Sequence, residues 1–118
     1  MTESPLMIKS KEFALTVIKV CKELRNAKCE SALINQFLRS GTSIGANIRE
    51  AFYAHGKADF VSKLEIALKE SNETSYWLKL MYETKRIDIT TYQYTEKLCG
   101  NIRRLLIASC KTAKENAK

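Results

Sequence analysis

The chain has 118 residues and a net charge of +7, with 45% hydrophobic and 28% charged residues, which suits a single water-soluble domain over residues 1–118. One proline and four glycines are too few for the tight turns of a multi-stranded β protein, so long helices are expected. The sequence has no run of 18 apolar residues and no basic stretch followed by an apolar segment. We therefore expect neither a membrane-spanning helix nor a secretory signal.

The first periodic segment extends from about residue 10 to residue 25, with Ser10 as the candidate N-cap. Its apolar stripe is formed by Phe13, Val17, Val20 and Leu24, widened by Ala14, Ile18 and Cys21. Such a wide stripe predicts a helix that packs on two neighbours.

The second segment covers about residues 31–54, and two glycines interrupt its apolar side. Gly41 and Gly45 are four residues apart, so one strip of this helix carries no side chains. Glycine inside a helix costs about 1 kcal/mol relative to alanine. Close approach of a neighbouring helix is the simplest explanation, and a kink near residues 40–41 is the alternative.

The third segment covers about residues 57–84 and begins after Gly56, with Asp59 in its first turn, where a carboxylate favours the helix dipole. Its heptad-like seam consists of Phe60, Leu64, Ala67, Ser71, Thr74, Leu78 and Met81. Ile66, Trp77 and Leu80 lie off that seam and suggest a neighbour outside the chain.

The fourth segment covers about residues 89–113, and the tail from residue 114 to 118 is expected to fray. Leu98, Ile102, Leu105 and Ser109 form one stripe, with Tyr92, Cys99, Leu106 and Cys110 beside it. Short connections make neighbouring helices antiparallel, so the sequence predicts an all-α, up-down-up-down four-helix bundle.

Basic charge is concentrated in the first and last segments. Residues 8–28 have a net charge of +4 and residues 97–118 of +5, whereas residues 29–96 have −1. Because the first and last helices of an up-down bundle are adjacent, these charges are expected to share one side. The candidate nucleic-acid-binding residues are Lys19, Lys22, Arg25, Lys28, Lys97, Arg103, Arg104, Lys111 and Lys114.

Within the last segment, Lys97, Arg104, Lys111 and Lys118 are each seven residues apart. At about 1.5 Å per residue this row spans roughly 30 Å, long enough to follow several phosphates of RNA or DNA. A solvated face that only keeps the protein soluble is the alternative. No zinc-finger spacing or interleaved aromatic residues indicate base reading, and membrane binding is disfavoured because the apolar faces belong to the core.

Catalysis is not indicated. A carboxylate-bridged metal pair in a four-helix bundle needs Glu-x-x-His on two helices, but the chain has one histidine, His55, in a turn. Glu70 and Glu73 on helix three and Glu50 on helix two leave a carboxylate site as an alternative, which is disfavoured because hard-metal sites need several converging oxygens. The P-loop and the dinucleotide glycine motif are also missing. We expect no enzyme activity, no metal and no cofactor.

The four cysteines form no C-x-x-C pair, so we interpret them as buried apolar residues and not as zinc ligands. Free thiols without an export signal indicate a reducing cytoplasm.

Helix two also carries a polar stripe of Ser40, Ser43, Asn47 and Glu50. With the 55–57 turn at the centre of a hairpin, Arg39 should face Glu73 and Glu50 should face Lys63. The hypothesis is that the stripe fixes the register of the hairpin or a subunit contact, since partnered polar groups can specify pairing.

Residues 38–51 read LRSGTSIGANIREA and resemble the signature of a bacterial four-helix-bundle family that is often encoded in intervening sequences of 23S rRNA genes. A second signature follows at the expected spacing: Asp59-Phe60, Lys63-Leu64, residues 66–70, Glu73-Thr74 and residues 76–78. Phe13-Ala14 also fits, and the resemblance covers roughly residues 10–113. One departure is Gly56, where the family pattern leads us to expect an N-capping serine.

The resemblance implies a homo-oligomer, a pentameric ring being the associated form, with a basic surface and nucleic-acid affinity. Members are often labelled ribosomal proteins, and a related branch comprises accessory proteins of reverse transcriptases in diversity-generating retroelements. It brings no catalytic residues. The matching positions Gly41, Gly45, Asn47, Glu50, Asp59 and Glu73, like Arg39, Ser40, Ser43 and Trp77, are therefore expected to be structural or interface residues.

Two hypotheses follow. The first is a non-enzymatic oligomer that binds nucleic acid, preferably RNA, through helices one and four. The second is a protein-interaction scaffold or adaptor, for example to a reverse transcriptase, that does not bind nucleic acid directly.

Overall fold

In the computed structural model, which describes residues 4–116, the chain forms four α-helices, and no strand occurs in that range. The helices are α1 Pro5–Asn26, α2 Ser31–Phe52, α3 Lys57–Glu83 and α4 Ile89–Asn116. α1 and α3 each pack against both α2 and α4, and the extents are 49 × 24 × 21 Å. The prediction of an all-α four-helix bundle is confirmed.

The predicted start of α1 at Ser10 is wrong. α1 begins five residues earlier, where the side chain of Ser4 accepts a hydrogen bond from the Met7 backbone N–H at 3.2 Å. Pro5 fits the first helical turn because its fixed φ is helical and its missing N–H needs no partner. Ser10 is instead buried inside the helix and donates to the Met7 carbonyl at 3.3 Å.

The other predicted boundaries are close to the observed ones. α2 ends at Phe52, two residues early, and α3 ends at Glu83, one residue early. α4 continues to Asn116 instead of ending at residue 113, and Lys57 Nζ donates to the Asn116 carbonyl at 3.1 Å. The predicted fraying of Lys114 is therefore wrong, whereas residues 117 and 118 lie outside the described part of the chain.

The core lies along the bundle axis and includes every predicted seam residue of α3 from Leu64 to Met81. Phe13, Val17, Val20, Cys21 and Leu24 of α1 are also buried, as predicted, but Ile18 is 51% exposed and does not widen the stripe. All four cysteines are free and buried, and burial raises the pKa of each thiol, which confirms their interpretation as apolar core residues.

In α4 the buried face differs from the predicted one. The buried residues are Thr95, Cys99, Ile102, Leu106 and Cys110, whereas Leu98, Leu105 and Ser109 are only half-buried. The face of α4 toward the axis is thus rotated from the expected one. This rotation determines which arginine side chains of α4 point toward the neighbouring helices.

Gly41 lets α1 and α2 approach closely. A Cβ atom added at Gly41 would lie 2.8 Å from Val17 Cγ2 and 3.0 Å from Cγ1, and one at Gly45 would lie 3.4 Å from the Ser10 carbonyl oxygen. The explanation by close approach of a neighbouring helix is therefore confirmed.

Gly56 precedes α3 with a φ of 147°, a conformation that L side chains rarely adopt. A serine cap would be strained in this backbone. Asp59 lies in the first turn of α3, as predicted.

Candidate nucleic-acid interface

The candidate basic residues of α1 and the connection that follows it are all exposed: Lys19, Lys22, Arg25 and Lys28. Lys28 has a φ of 60°, in the connection that leads to α2. Because α1 and α4 are antiparallel neighbours, this group lies toward the same end of the bundle as Lys97.

Along α4, Lys97, Arg104, Lys111 and Lys114 are exposed. Lys97 to Lys111 extends about 21 Å along the helix, from the end near Lys19 toward the opposite end. Lys118, the last member of the predicted row, lies outside the described residues.

Most of these cations are not used by the fold. Among residues 4–116, six of them form neither a side-chain hydrogen bond nor an ion pair: Lys19, Lys22, Arg25, Lys28, Lys97 and Lys111. The guanidinium of Arg104 donates only to the side-chain oxygen of Asn101 within that range. Seven positive charges are therefore available to an external anion.

Two candidates behave differently. Lys114 pairs with Glu65 of α3 at 3.0 Å, with both side chains more than half exposed. Arg103 turns toward α3, and only 25% of its side chain is exposed.

Arg103 Nη2 is the centre of a polar cluster between α3 and α4. It donates to Ser75 Oγ, to the Ser71 carbonyl at 3.4 Å and to Glu96 Oε1 at 3.5 Å. Ser75 Oγ also donates to the Glu96 carboxylate, at 2.8 and 2.9 Å. Sequence reasoning missed Ser75 and Glu96, and the cluster gives Arg103 a role in joining two helices.

The predicted register of the α2–α3 hairpin is confirmed. Arg39 pairs with Glu73 and also with Glu70, at 3.2 Å, and Lys63 pairs with Glu50 at 3.5 Å. The Glu73 hydrogen bond raises the pKa of Arg39, whereas burial raises the pKa of Glu70 despite the nearby guanidinium.

The polar stripe of α2 divides into two kinds of residue. Ser40 is buried and its Oγ accepts from Thr74 Oγ1 at 3.0 Å, so it contacts α3 directly. Ser43 and Asn47 are half-buried and donate within α2, to the Arg39 carbonyl at 2.6 Å and the Ser43 carbonyl at 2.9 Å. The cross-helix contacts thus come from Arg39, Ser40 and Glu50, and a subunit contact by Ser43 or Asn47 stays a prediction.

Apolar side chains are also exposed on the outer surface. Ile8, Leu15 and Ile18 of α1 are 43%, 59% and 51% exposed. On α3, Ile66 is 39% exposed and Trp77 is half-buried, with a buried indole N–H that has no partner in the described structure.

Within residues 4–116, no three His, Cys, Asp or Glu side chains converge in a way that could hold a metal ion. None of the helices in that range is both long and apolar enough to span a bilayer.

Comparison with known proteins supports the family resemblance that the signature residues indicated. A crystal structure of a protein of unknown function from the S23 ribosomal protein family of Bacteroides thetaiotaomicron VPI-5482 is similar, with 47% sequence identity, a TM-score of 0.88, and coverage of 90% of this chain and 98% of that one. No curated protein matches the chain. A family model described as 23S rRNA-intervening sequence protein matches residues 3–108. The chain belongs to the 23S rRNA-intervening sequence protein family.

Proposed function

We propose that the protein is a non-enzymatic, homo-oligomeric bundle that binds nucleic acid, preferably RNA, through the outer faces of α1 and α4. The observation that carries the proposal is that seven of the nine candidate cations on these helices and the α1–α2 connection are exposed and form no ion pair within residues 4–116. Surface lysines and arginines that are free of carboxylates can replace the counterions around phosphates.

The charge distribution favours contact with the phosphate backbone and not with base edges. The exposed cations extend along a helix face, and no His, Cys, Asp or Glu cluster among residues 4–116 could form a zinc module that enters a groove. Binding should therefore depend weakly on sequence and strongly on salt.

Self-assembly into a pentameric ring is part of the proposal, supported by the family resemblance and by the exposed apolar residues of α1. Ile8, Leu15 and Ile18 are exposed on α1 and precede Lys19, Lys22 and Arg25 at its C-terminal end. Burial of this row against another copy would leave Lys19 to Lys28 at the edge of the contact. The buried free thiols support a cytoplasmic location.

The test is fluorescence anisotropy of the intact protein with a labelled single-stranded RNA, at about 50 mM and about 200 mM salt. We expect binding at low salt that weakens by at least about tenfold at the higher salt, as several phosphate contacts require. Absence of binding to RNA and DNA at about 50 mM salt contradicts the proposal.

Charge reversal identifies the surface. Arg104→Glu with Lys111→Glu should weaken binding by at least about tenfold while the solution mass from light scattering is unchanged. Lys69→Glu with Lys79→Glu is the matched control, because both are exposed lysines of α3 and the change in net charge is the same. Equal losses in the two double variants would show a general charge effect and would contradict a defined surface.

The adaptor hypothesis is a second candidate, since the exposed apolar row of α1 also suits a protein partner. Recovery of one protein on the immobilised bundle, unchanged by nuclease and lost in Leu15→Glu, would favour it. Lack of RNA binding together with such a partner would replace the first proposal with this one.

A further inference from the structure

Gly100 lies in the middle of α4, on a face where the packing of this chain does not require a glycine. A Cβ atom added there would meet only Arg104 Nη1, at 3.7 Å, which is an ordinary van der Waals contact. Glycine weakens a helix relative to alanine. Gly41, by contrast, has an evident packing role against Val17. The contacts within residues 4–116 thus leave Gly100 without a structural role.

Gly100 lines a shallow hollow of about 370 Å³ on the outer surface of α4. Its walls are the side chains one and two turns away along the helix: Tyr92, Gln93, Glu96, Lys97, Arg103 and Arg104. The backbone at Gly100 forms the floor, where glycine permits the closest approach of a ligand.

The charges around the hollow do not cancel. Glu96 accepts hydrogen bonds from Ser75 and forms an ion pair with Arg103 at 3.5 Å, so each of these two charges is already neutralised. Lys97 and Arg104 are exposed and form no ion pair among residues 4–116. Asn101 accepts a hydrogen bond from the guanidinium of Arg104, which lies beside the bare Cα of Gly100. The hollow is therefore set up for an anion.

We propose that a phosphodiester group of a nucleic-acid backbone binds in this hollow, against Gly100 and between Lys97 and Arg104. An arginine fork can donate two parallel hydrogen bonds to phosphate, and a lysine adds a compact charge. The inference rests on the proposed function and defines where on α4 the backbone makes its closest contact.

The aromatic wall argues against base recognition at this place. Tyr92 is half-buried, and its ring is stacked on Tyr82 of α3, with centroids 4.6 Å apart and an interplanar angle of 10°. A ring already stacked within the protein offers less surface to a base. The hollow consequently selects the backbone, independently of sequence.

The experiment adds side chains to the floor of the hollow without changing charge. Gly100→Ala and Gly100→Leu are measured beside the wild type with a fluorescent oligouridylate at about 50 mM and about 200 mM salt. The control is Ala32→Leu, which places the same leucine on an exposed site of α2, a helix that does not pack against α4.

We expect Gly100→Ala to keep or raise the thermal unfolding midpoint while weakening RNA binding about threefold. Gly100→Leu should weaken binding by about tenfold, with a salt dependence less steep by about one counterion. Ala32→Leu should bind like the wild type.

The contrary outcomes are distinct. Wild-type affinity in Gly100→Leu overturns the inference and leaves the proposed function intact, whereas no binding by the wild type overturns both. A changed solution mass in Gly100→Leu would assign the hollow to a subunit contact. Stronger displacement of RNA by inorganic phosphate than by sulfate at equal ionic strength would assign the hollow to free phosphate. A subunit contact or a free-phosphate site would each overturn the inference.

Discussion

The α2–α3 pair and the α1–α4 pair use charged residues in opposite ways. Across α2–α3, the most extensive helix interface of the bundle, Arg39 meets Glu70 and Glu73, and Lys63 meets Glu50. On α1 and α4, whose mutual interface is the smallest, most cations are exposed and form no ion pair with a carboxylate among residues 4–116. The α2–α3 interface thus uses Arg39 and Lys63 to join its two helices, whereas the α1–α4 interface contains no such ion pair within residues 4–116.

Arginines 103 and 104 show the same difference between adjacent residues of one helix. Arg103 joins α4 to α3 through Ser71, Ser75 and Glu96, whereas Arg104 contacts only its own helix. A count of basic residues therefore overstates the candidate binding surface, because the direction of each side chain decides whether its charge is exposed or paired within the fold.

The largest expected effect compares two glycines. Gly41→Ala should destabilise the protein by about 1–2 kcal/mol, because overpacking against the stiff, buried Val17 outweighs the gain in helix propensity. Gly100→Ala, the matched control, should stabilise it by up to about 1 kcal/mol, since its Cβ meets only Arg104. Urea unfolding at one protein concentration measures the difference.

A second variant confirms the cause of the Gly41→Ala effect. Addition of Val17→Ala removes both methyl groups that lie nearest to the new Cβ, so the two substitutions together should be about 1 kcal/mol less destabilising than their sum. Strict additivity would show that Gly41 is not limited by Val17.

The next effect compares the two arginines. Arg103→Ala should lower the free energy of unfolding by about 1–2 kcal/mol, because it removes hydrogen bonds that join two helices in a partly buried site. Arg104→Ala should change stability by less than about 0.5 kcal/mol but weaken RNA binding. Chemical denaturation and anisotropy on the same two variants test this, and a reversed order of the two effects would contradict the comparison.

Sequence alone predicted the α2–α3 side of the molecule well. A short turn fixes the register of a hairpin, so the pairs Arg39–Glu73 and Lys63–Glu50 could be assigned by position before any coordinates. The buried seam of α3 could also be predicted, because its apolar and small residues recur alternately four and three positions apart, as in a heptad repeat.

The α4 side could not be predicted to the same depth. Two apolar stripes overlap on this helix, and the one that is buried includes Thr95 and Cys99, whereas Leu98 and Leu105 stay half-exposed. Arg103 is four residues after Cys99 and therefore lies on the same side of the helix. Its direction toward α3 could be recognised only once the buried face was known. The start of α1 was missed for another reason, since the Ser4–Pro5 signal lies before the apolar periodicity becomes visible.

The smallest effect concerns Arg39 and depends on pH. Burial raises the pKa of Glu70 in the folded protein, and Glu73 lies beside it. Without Arg39 the pKa of Glu70 should rise further, because its carboxylate would still lie beside that of Glu73 but would lose the positive charge of the guanidinium. A carboxyl whose pKa is raised by folding destabilises the folded state as the pH rises through that pKa, because the ionised form is disfavoured there.

Arg39→Ala should therefore lower the free energy of unfolding by about 0.5–1 kcal/mol at neutral pH, and by less in acidic solution, where protonation of Glu70 removes its negative charge. Urea midpoints across this range measure the trend. Glu70→Gln in the same background removes one of the two carboxylates and should flatten the pH dependence. A penalty that stays constant with pH would show that Arg39 contributes through its packing, so that the hairpin would be held by shape and hydrogen bonds such as Ser40–Thr74, and not by charge.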